Sequence, residues 1–129
     1  MAKTLADFVR EARARIREIG VEEFDEMIEN HDDLLIVDVR EAEEFHRGHI
    51  PGAILVPRGI LECAVDVAGK RRVDKLHGAR DQTLVVCCQD GTRSALAADT
   101  LQQMGFQKVY LLVDGIGRWQ AQGLALARD

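Results

Sequence analysis

A cysteine lies where a predicted strand ends and a predicted helix begins, in the second half of the chain. The apolar run 83–87 is typical of a buried strand, and residues 94–101 have the pattern of a helix. Cys88 lies between them, so it faces unpaired backbone N–H groups and the positive end of the helix dipole. Both favour the thiolate, which is the reactive form of cysteine. The loop is therefore a candidate nucleophile site with an anion-binding backbone.

The residues after this cysteine are predicted to contact the substrate. Gly91 permits a tight turn with positive φ, Arg93 adds a fixed cation, and Ser94 would support the loop. Of the six predicted substrate-binding residues, five lie in this loop and the sixth is Arg58; the five are Gln89, Asp90, Gly91, Thr92 and Arg93. A cysteine is otherwise most often a small buried hydrophobe. Cys87, inside the strand pattern, is predicted to be one.

The spacing between the cysteine and the arginine bears on the chemistry. Cysteine-based phosphatases place five residues between the two, in a loop that wraps a tetrahedral phosphate. Here four residues separate Cys88 from Arg93. The tighter ring suits a persulfide or a terminal sulfur on the cysteine better than a phosphoryl group. Phosphatase or arsenate-reductase chemistry is therefore the weaker alternative.

The elements around this loop alternate between strands and helices, which predicts a parallel sheet with helices on both faces. Apolar runs predict strands over 34–39, 54–56, 83–87 and 109–113. Apolar residues at helical spacing predict an N-terminal helix within 5–19. Ligands of such folds bind beyond the carboxyl ends of the strands. Asp38, Cys88 and Asp114 all follow predicted strands, so they are expected on one side.

Three ordered motifs resemble the rhodanese family of sulfurtransferases. They are the loop 88–93, the stretch 38–53, and a glycine-rich turn before a tryptophan at 115–119. The resemblance to a single-domain rhodanese covers about residues 19–127. It implies an α/β, rhodanese-like three-layer sandwich, with a five-stranded parallel sheet, helices on both faces and an added N-terminal helix. Residues 1–18 would form the helical extension and residues 19–129 the rhodanese domain.

The same resemblance implies a ping-pong transfer of sulfur through Cys88. Cys88 would take the outer sulfur of thiosulfate or of a low-molecular persulfide such as glutathione persulfide. A thiol or cyanide would then remove it, while Arg93 orients the loop and offsets negative charge. Asp90 disfavours anionic donors by like charge, so a glutathione or protein persulfide rivals thiosulfate. The alternative is a persulfide carrier that delivers sulfur to a partner protein in a sulfur relay.

Three residues outside the loop are candidates for a place at the site. Asp38 would orient the loop, or more simply fix the turn after its own strand. Arg58 would attract anions at the pocket rim, or else lie in solvent. Cys63 flanks the active-site mouth by resemblance and is a candidate second thiol that receives sulfur. A half-buried cysteine in an apolar slot is the simpler interpretation of Cys63.

Four further residues are predicted to be structural. His49 is expected to make structural hydrogen bonds rather than act as a base. Arg40 and Glu44 are expected to pair with each other, and Trp119 to lie in the core.

Composition limits the remaining function classes. The net charge of −5 argues against nucleic acid as a partner, and no apolar segment approaches the roughly 20 residues that span a bilayer. The N-terminus lacks the apolar core of a signal peptide. An odd number of cysteines then fits a reducing compartment, so the cytoplasm is the expected location. Four histidines and three cysteines show no metal-ligand spacing, so neither a metal nor another cofactor is predicted.

Overall fold

Five parallel strands form the centre of the protein. The computed structural model describes residues 1–30 and 33–129. The strands are β1 (Arg17–Ile19), β2 (Leu35–Asp38), β3 (Ile54–Leu55), β4 (Thr83–Cys87) and β5 (Lys108–Leu112). Their order across the sheet is β1-β5-β4-β2-β3, and all four neighbouring pairs are parallel. The strand before the candidate nucleophile is therefore the central one.

The described part of the chain contains seven helices. They are α1 (Leu5–Arg13), α2 (Val21–Asn30), α3 (Ala42–Arg47), α4 (Leu61–Val65), α5 (Asp74–His77), α6 (Thr92–Gln103) and α7 (Gly115–Ala121), with a 3₁₀ turn at Arg58–Ile60. Helices α2 to α6 lie between strands, α1 precedes β1 and α7 follows β5. Among the described residues, no helix has the length and apolar character needed to cross a membrane.

Side chains of the central strand enter two separate hydrophobic layers, because successive residues of a strand point to opposite faces. Leu84 and Val86 pack with residues of α4, α5 and α6 on one face. Val85 and Cys87 pack with residues of α2 and α7 on the other. Helices therefore cover both faces of the sheet. The predicted three-layer α/β sandwich is confirmed.

The N-terminal helix is shorter than its sequence pattern predicts. It ends at Arg13, and Arg17–Ile19 forms edge strand β1 beside β5. The prediction of helix to residue 19 was wrong because backbone pairing with the exposed edge of β5 overrides local helical spacing. Ile16 and Ile19 still pack inward, against different layers. The proposed boundary between residues 18 and 19 falls inside this strand.

The connection over 68–81, predicted as irregular, contains helix α5. Its residue Leu76 is fully buried, and Arg80 fastens the segment through three backbone carbonyls. Its guanidinium donates to His77, Val65 and Met104. A polar sequence hid this short helix because only one of its four residues is buried.

Candidate active site

The Cys88 sulfur lies close to backbone N–H groups and a hydroxyl group at the start of α6. Its Sγ lies 3.2 Å from the backbone nitrogen of Gly91 and 3.4 Å from that of Ser94. The Ser94 hydroxyl lies 3.3 Å from the same sulfur. These groups are placed to stabilise negative charge on Sγ, as helix N-termini do for anions. The predicted support from Ser94 is a direct contact in the structure.

The turn that brings these donors to the sulfur depends on Gly91. Its φ is +98°, in the region that L side chains rarely adopt. Asp90 closes the same turn: its Oδ1 accepts from the backbone nitrogen of Thr92 at 3.1 Å and from the Thr92 hydroxyl at 2.8 Å. Gly91 thus allows the turn that brings the loop N–H groups to the sulfur. The hydrogen bonds from Thr92 to Asp90 stabilise that turn.

Backbone hydrogen bonds also join the loop to the chain segment that follows β5. Backbone N–H groups of Ile116 and Gly117 donate to the carbonyls of Cys88 and Gln89 at 2.9 and 3.0 Å. Gly115 permits this approach, since a Cβ there would lie 2.2 Å from the Cys88 carbonyl oxygen. We call these two hydrogen bonds the backbone clamp. They explain why a glycine-rich turn follows β5.

Arg93 is fixed by a carboxylate from the first half of the chain. It donates both terminal nitrogens to Glu44, at 2.7 and 3.0 Å. This bidentate bond is the main cause that lowers the pKa of Glu44, to about 2, and it raises the pKa of Arg93. The predicted pairing of Arg40 with Glu44 was wrong. Sequence reasoning missed Glu44 as the partner of the loop arginine.

Arg40 pairs instead with Asp38, at the carboxyl end of β2. Asp38 accepts from the Arg40 backbone nitrogen at 3.0 Å and from its guanidinium at 2.9 Å. The guanidinium also donates to the Gly48 carbonyl and reaches the Gln89 side chain at 3.5 Å. Asp38 therefore fixes the turn after its own strand. Its link to the loop is indirect, through Arg40.

Asp90 places a carboxylate beside the candidate nucleophile. Its Oδ1 lies 3.9 Å from the Cys88 sulfur. Hydrogen bonds from Thr92 are the main cause that lowers the pKa of Asp90, with a smaller contribution from the charge of Arg93. Asp90 is therefore ionised near neutral pH. An anionic molecule that approaches the sulfur meets this charge.

Two of the predicted site residues are not among the contacts of the loop. Arg58 bonds Glu62 and the hydroxyl of Thr100, eight residues beyond the first residue of α6. Cys63 lies exposed on α4, so the half-buried slot expected for it was wrong. Among the contacts of the described residues, none joins Cys63 to Cys88.

Two of the residues predicted to be structural, His49 and Trp119, make hydrogen bonds to backbone carbonyls. The His49 ring stacks on Phe45 and bonds its carbonyl at 2.9 Å. Trp119 is buried and donates to the Ala125 carbonyl. The expected structural hydrogen bond of His49 and the core position of Trp119 are confirmed. Among the described residues, which exclude His31, no group of three side chains could hold a metal ion.

The arrangement defines a class of site: a cysteine at the carboxyl end of a central parallel strand, with its sulfur directed at a helix N-terminus. Such a sulfur can bond an electrophilic atom and carry it on the cysteine. The family model of the rhodanese-like domain matches residues 20–122. The chain belongs to that family.

Curated relatives include proteins named for carrying and for transferring sulfur. "Putative sulfur carrier protein YrkF" of Bacillus subtilis is 34% identical over 109 residues, which cover 84% of this chain and 54% of that protein. A "Sulfurtransferase" of Allochromatium vinosum is 29% identical over 111 residues, 86% of this chain and 94% of that protein. The chain spans 54% and 64% of the first two curated relatives it matches.

Solved structures confirm the fold. A protein of unknown function from Rhodopseudomonas palustris, described as a possible tyrosine phosphatase, aligns with a TM-score of 0.91 at 29% identity. The alignment covers 98% of this chain and 96% of that one. A human single-domain sulfurtransferase aligns with a TM-score of 0.70 at 24% identity, over 81% of this chain and 96% of that one. At that identity the likeness concerns the fold alone.

Proposed function

We propose that the protein is a sulfurtransferase that carries sulfane sulfur on Cys88. The observation that carries the proposal is the ring of donors around Sγ, from the Gly91 and Ser94 backbone and the Ser94 hydroxyl. Membership of the rhodanese-like family adds support. Thiosulfate and low-molecular persulfides are the proposed donors, and thiols or cyanide the proposed acceptors. We place this reaction in the cytoplasm.

The transfer takes two displacements. The Cys88 thiolate bonds to the outer sulfur of thiosulfate, the S–S bond breaks, and its electron pair leaves with sulfite. The loop N–H groups then stabilise the charge of the Cys88 persulfide. An acceptor thiolate bonds to the terminal sulfur, and Cys88 leaves as the thiolate. Cys88 has no exposed surface, so loop side chains must move to admit the donor.

Arg93 serves in this scheme as a positioning residue. Its two terminal nitrogens are engaged by Glu44, so the pair ties the start of α6 to α3. This engagement also supports sulfur transfer over phosphoryl transfer, since a phosphatase presents its loop arginine to the phosphate. The four-residue spacing points the same way.

Intact-mass measurement tests the proposal. The protein is incubated with thiosulfate or glutathione persulfide and desalted without reductant, and we expect a gain of one sulfur atom that cyanide removes. Cys88→Ser should gain none, whereas Cys63→Ser should gain sulfur as the native protein does. Undiminished loading of Cys88→Ser would overturn the proposal. Hydrolysis of an aryl phosphate by the native protein but not by Cys88→Ser would establish phosphatase chemistry instead.

A carrier that delivers sulfur to a partner protein is the second candidate. The sulfur carrier name of the Bacillus subtilis relative favours it. Rapid turnover with thiosulfate and cyanide would support the enzyme. A persulfide that forms and then persists in the presence of cyanide and small thiols would support the carrier.

A further inference from the structure

An apolar cleft lies between the N-terminal helix and the candidate active-site loop. Its volume is about 510 Å³, a size that accommodates a small organic molecule. The lining residues are Leu5, Ala6, Val9, Arg10, Arg13 and Thr92. The first five belong to α1, which lies outside the residues matched by the family model. Thr92 belongs to the loop, so α1 adds a wall to the site that the family match does not include.

Short contacts connect this cleft to the sulfur. The Thr92 hydroxyl lies 2.8 Å from Asp90 Oδ1, which lies 3.9 Å from Cys88 Sγ. At the other side of the loop, a Cβ on Gly91 would lie 3.7 Å from the backbone nitrogen of Asp114. The hydrogen bonds that Arg13 donates to Glu18 are the main cause that raises the pKa of Arg13 in the cleft, and the charge of Asp114 adds a smaller contribution. Asp90 therefore contacts both the Cys88 sulfur and Thr92, the loop residue that lines the cleft.

The charges of the cleft favour an uncharged occupant. Arg10 is paired with Asp7 at 2.7 Å, and Arg13 with Glu18 at 2.7 and 3.0 Å. Each of the two guanidinium groups in the cleft therefore has a carboxylate partner that balances its charge. Hydrocarbon side chains supply the rest of the α1 wall, and Leu5 leaves 61% of its surface exposed. Covering such surface with an apolar group is favourable in water.

The negative charge of Asp90 beside the sulfur is a second, independent reason to expect an uncharged sulfur donor. Asp90 is ionised, and Glu44 neutralises Arg93. A dianion such as thiosulfate is therefore repelled where it must react, because like charges at this range disfavour each other. A donor that is neutral at its outer sulfur avoids this repulsion.

We propose that the cleft binds the apolar organic group of a persulfide donor, R–S–SH, whose R is a short hydrocarbon chain or ring. The proposal rests on the proposed function and names its donor class. The Cys88 thiolate bonds to the outer sulfur and the S–S bond of the donor breaks. The electron pair leaves on R–S⁻, which takes a proton from water. The hydrogen of the outer sulfur stays on the Cys88 persulfide.

A donor series tests the proposal. Methyl, butyl and hexyl persulfides, generated in the assay, and thiosulfate are compared by the kcat/KM for loading of Cys88. We expect about a twofold rise for each methylene that enters the cleft, since partial burial gives part of the full effect of a methylene. Ala6→Trp fills the cleft from an exposed position. It should lower the hexyl value about tenfold and leave thiosulfate unchanged.

Ala14→Trp is the matched control, because Ala14 is exposed on the turn that ends α1 and does not line the cleft. It should leave every donor unchanged. Equal rates for methyl and hexyl persulfide in the native protein would overturn the proposal. So would an equal loss with thiosulfate in Ala6→Trp.

Binding of the leaving thiol gives a readout that needs no turnover. In Cys88→Ser, hexanethiol should shift the methyl NMR signals of Leu5 and Val9, whereas methanethiol should not. Shifts without sulfur loading of the native protein would confirm the cleft and refute the proposed function. Loading without shifts and without chain-length dependence would refute the cleft alone.

Discussion

Cys87 and Cys88 are adjacent, and both have no exposed surface, yet their surroundings differ in kind. Cys87 packs among apolar residues on one side of the sheet, where burial is the main cause that raises the pKa of its thiol well above the usual value. Cys88 turns to the other side and meets N–H and hydroxyl groups at the start of α6. Burial alone therefore does not determine the surroundings of a cysteine, since apolar side chains surround one sulfur and polar groups contact the other.

Exchanging each cysteine in turn should give the largest contrast. Cys88→Ser should reduce sulfur loading by on the order of 1,000-fold or more, because a serine hydroxyl cannot form a persulfide. Cys87→Ala should keep near-native loading and lose about 1–2 kcal/mol of unfolding free energy through lost packing. Loading assays quenched at set times measure the rate of sulfur loading, and urea titrations measure the unfolding free energy. Loss of loading in Cys87→Ala, with its stability retained, would contradict the division of roles.

Gly115→Ala should disturb the environment of Cys88 while leaving that of Cys87 intact. The new Cβ would lie 2.2 Å from the Cys88 carbonyl oxygen, so the backbone clamp must move. We expect a loss of about 3 kcal/mol or more in unfolding free energy and a large fall in loading. Gly123→Ala is the control: its φ of +80° carries a conformational cost of about 1 kcal/mol, but nothing lies within 4 Å. Similar losses in the two variants would show that the clamp contributes nothing.

Glu44→Gln should have an intermediate effect that depends on pH. The pKa of Glu44 falls from 4.5 to about 2 in the folded state, so its pairing stabilises the protein fully above about pH 4.5. This contribution is lost as the pH falls towards 2. Both side chains are partly exposed, so we expect only about 1 kcal/mol. Loading should fall about tenfold at neutral pH as Arg93 loses its position.

Urea titrations of native protein and Glu44→Gln between pH 2 and 6 measure this dependence. Glu43→Gln is the control, because Glu43 is exposed and its contact with Arg47 is 3.7 Å long. A stability difference for Glu44→Gln that is unchanged at pH 2 would rule out the ion pair as its cause.

The third cysteine should give the smallest effect. Cys63→Ser should change the rate of Cys88 loading by less than about twofold, because Cys63 is exposed on α4 and surface substitutions seldom disturb a fold. Peptide mapping after loading with thiosulfate measures where the sulfur lies. Sulfur or a disulfide on Cys63 would instead establish it as a second thiol.

The sequence predicts the centre of this molecule better than its edges. The run 83–87 is a strand at the predicted bounds, because five consecutive apolar or β-branched residues suit a strand covered on both faces. Strand β1 was missed, because it is held by pairing with β5, which lies about ninety residues away. Short edge strands carry little local signal of their own.

The same contrast holds within the site. The position of Cys88 follows from a strand next to a helix, and both are local patterns. The partner of Arg93, Glu44, lies 49 residues earlier. Arg40 and Arg47 lie much closer to Glu44 in the sequence, so local spacing does not indicate Arg93 as its partner. The glycine-rich turn at 115–117 was visible as a motif, but its contact with the Cys88 carbonyl appears only in three dimensions.

The backbone clamp has a consequence for how the loop can be observed. The amide hydrogens of Ile116 and Gly117 are bonded to the carbonyls of Cys88 and Gln89, so they exchange with solvent only when the loop separates from the segment after β5. The clamp uses no side chain and does not touch the sulfur. A comparison of their exchange rates with and without sulfur on Cys88 therefore measures how the bound sulfur changes loop opening.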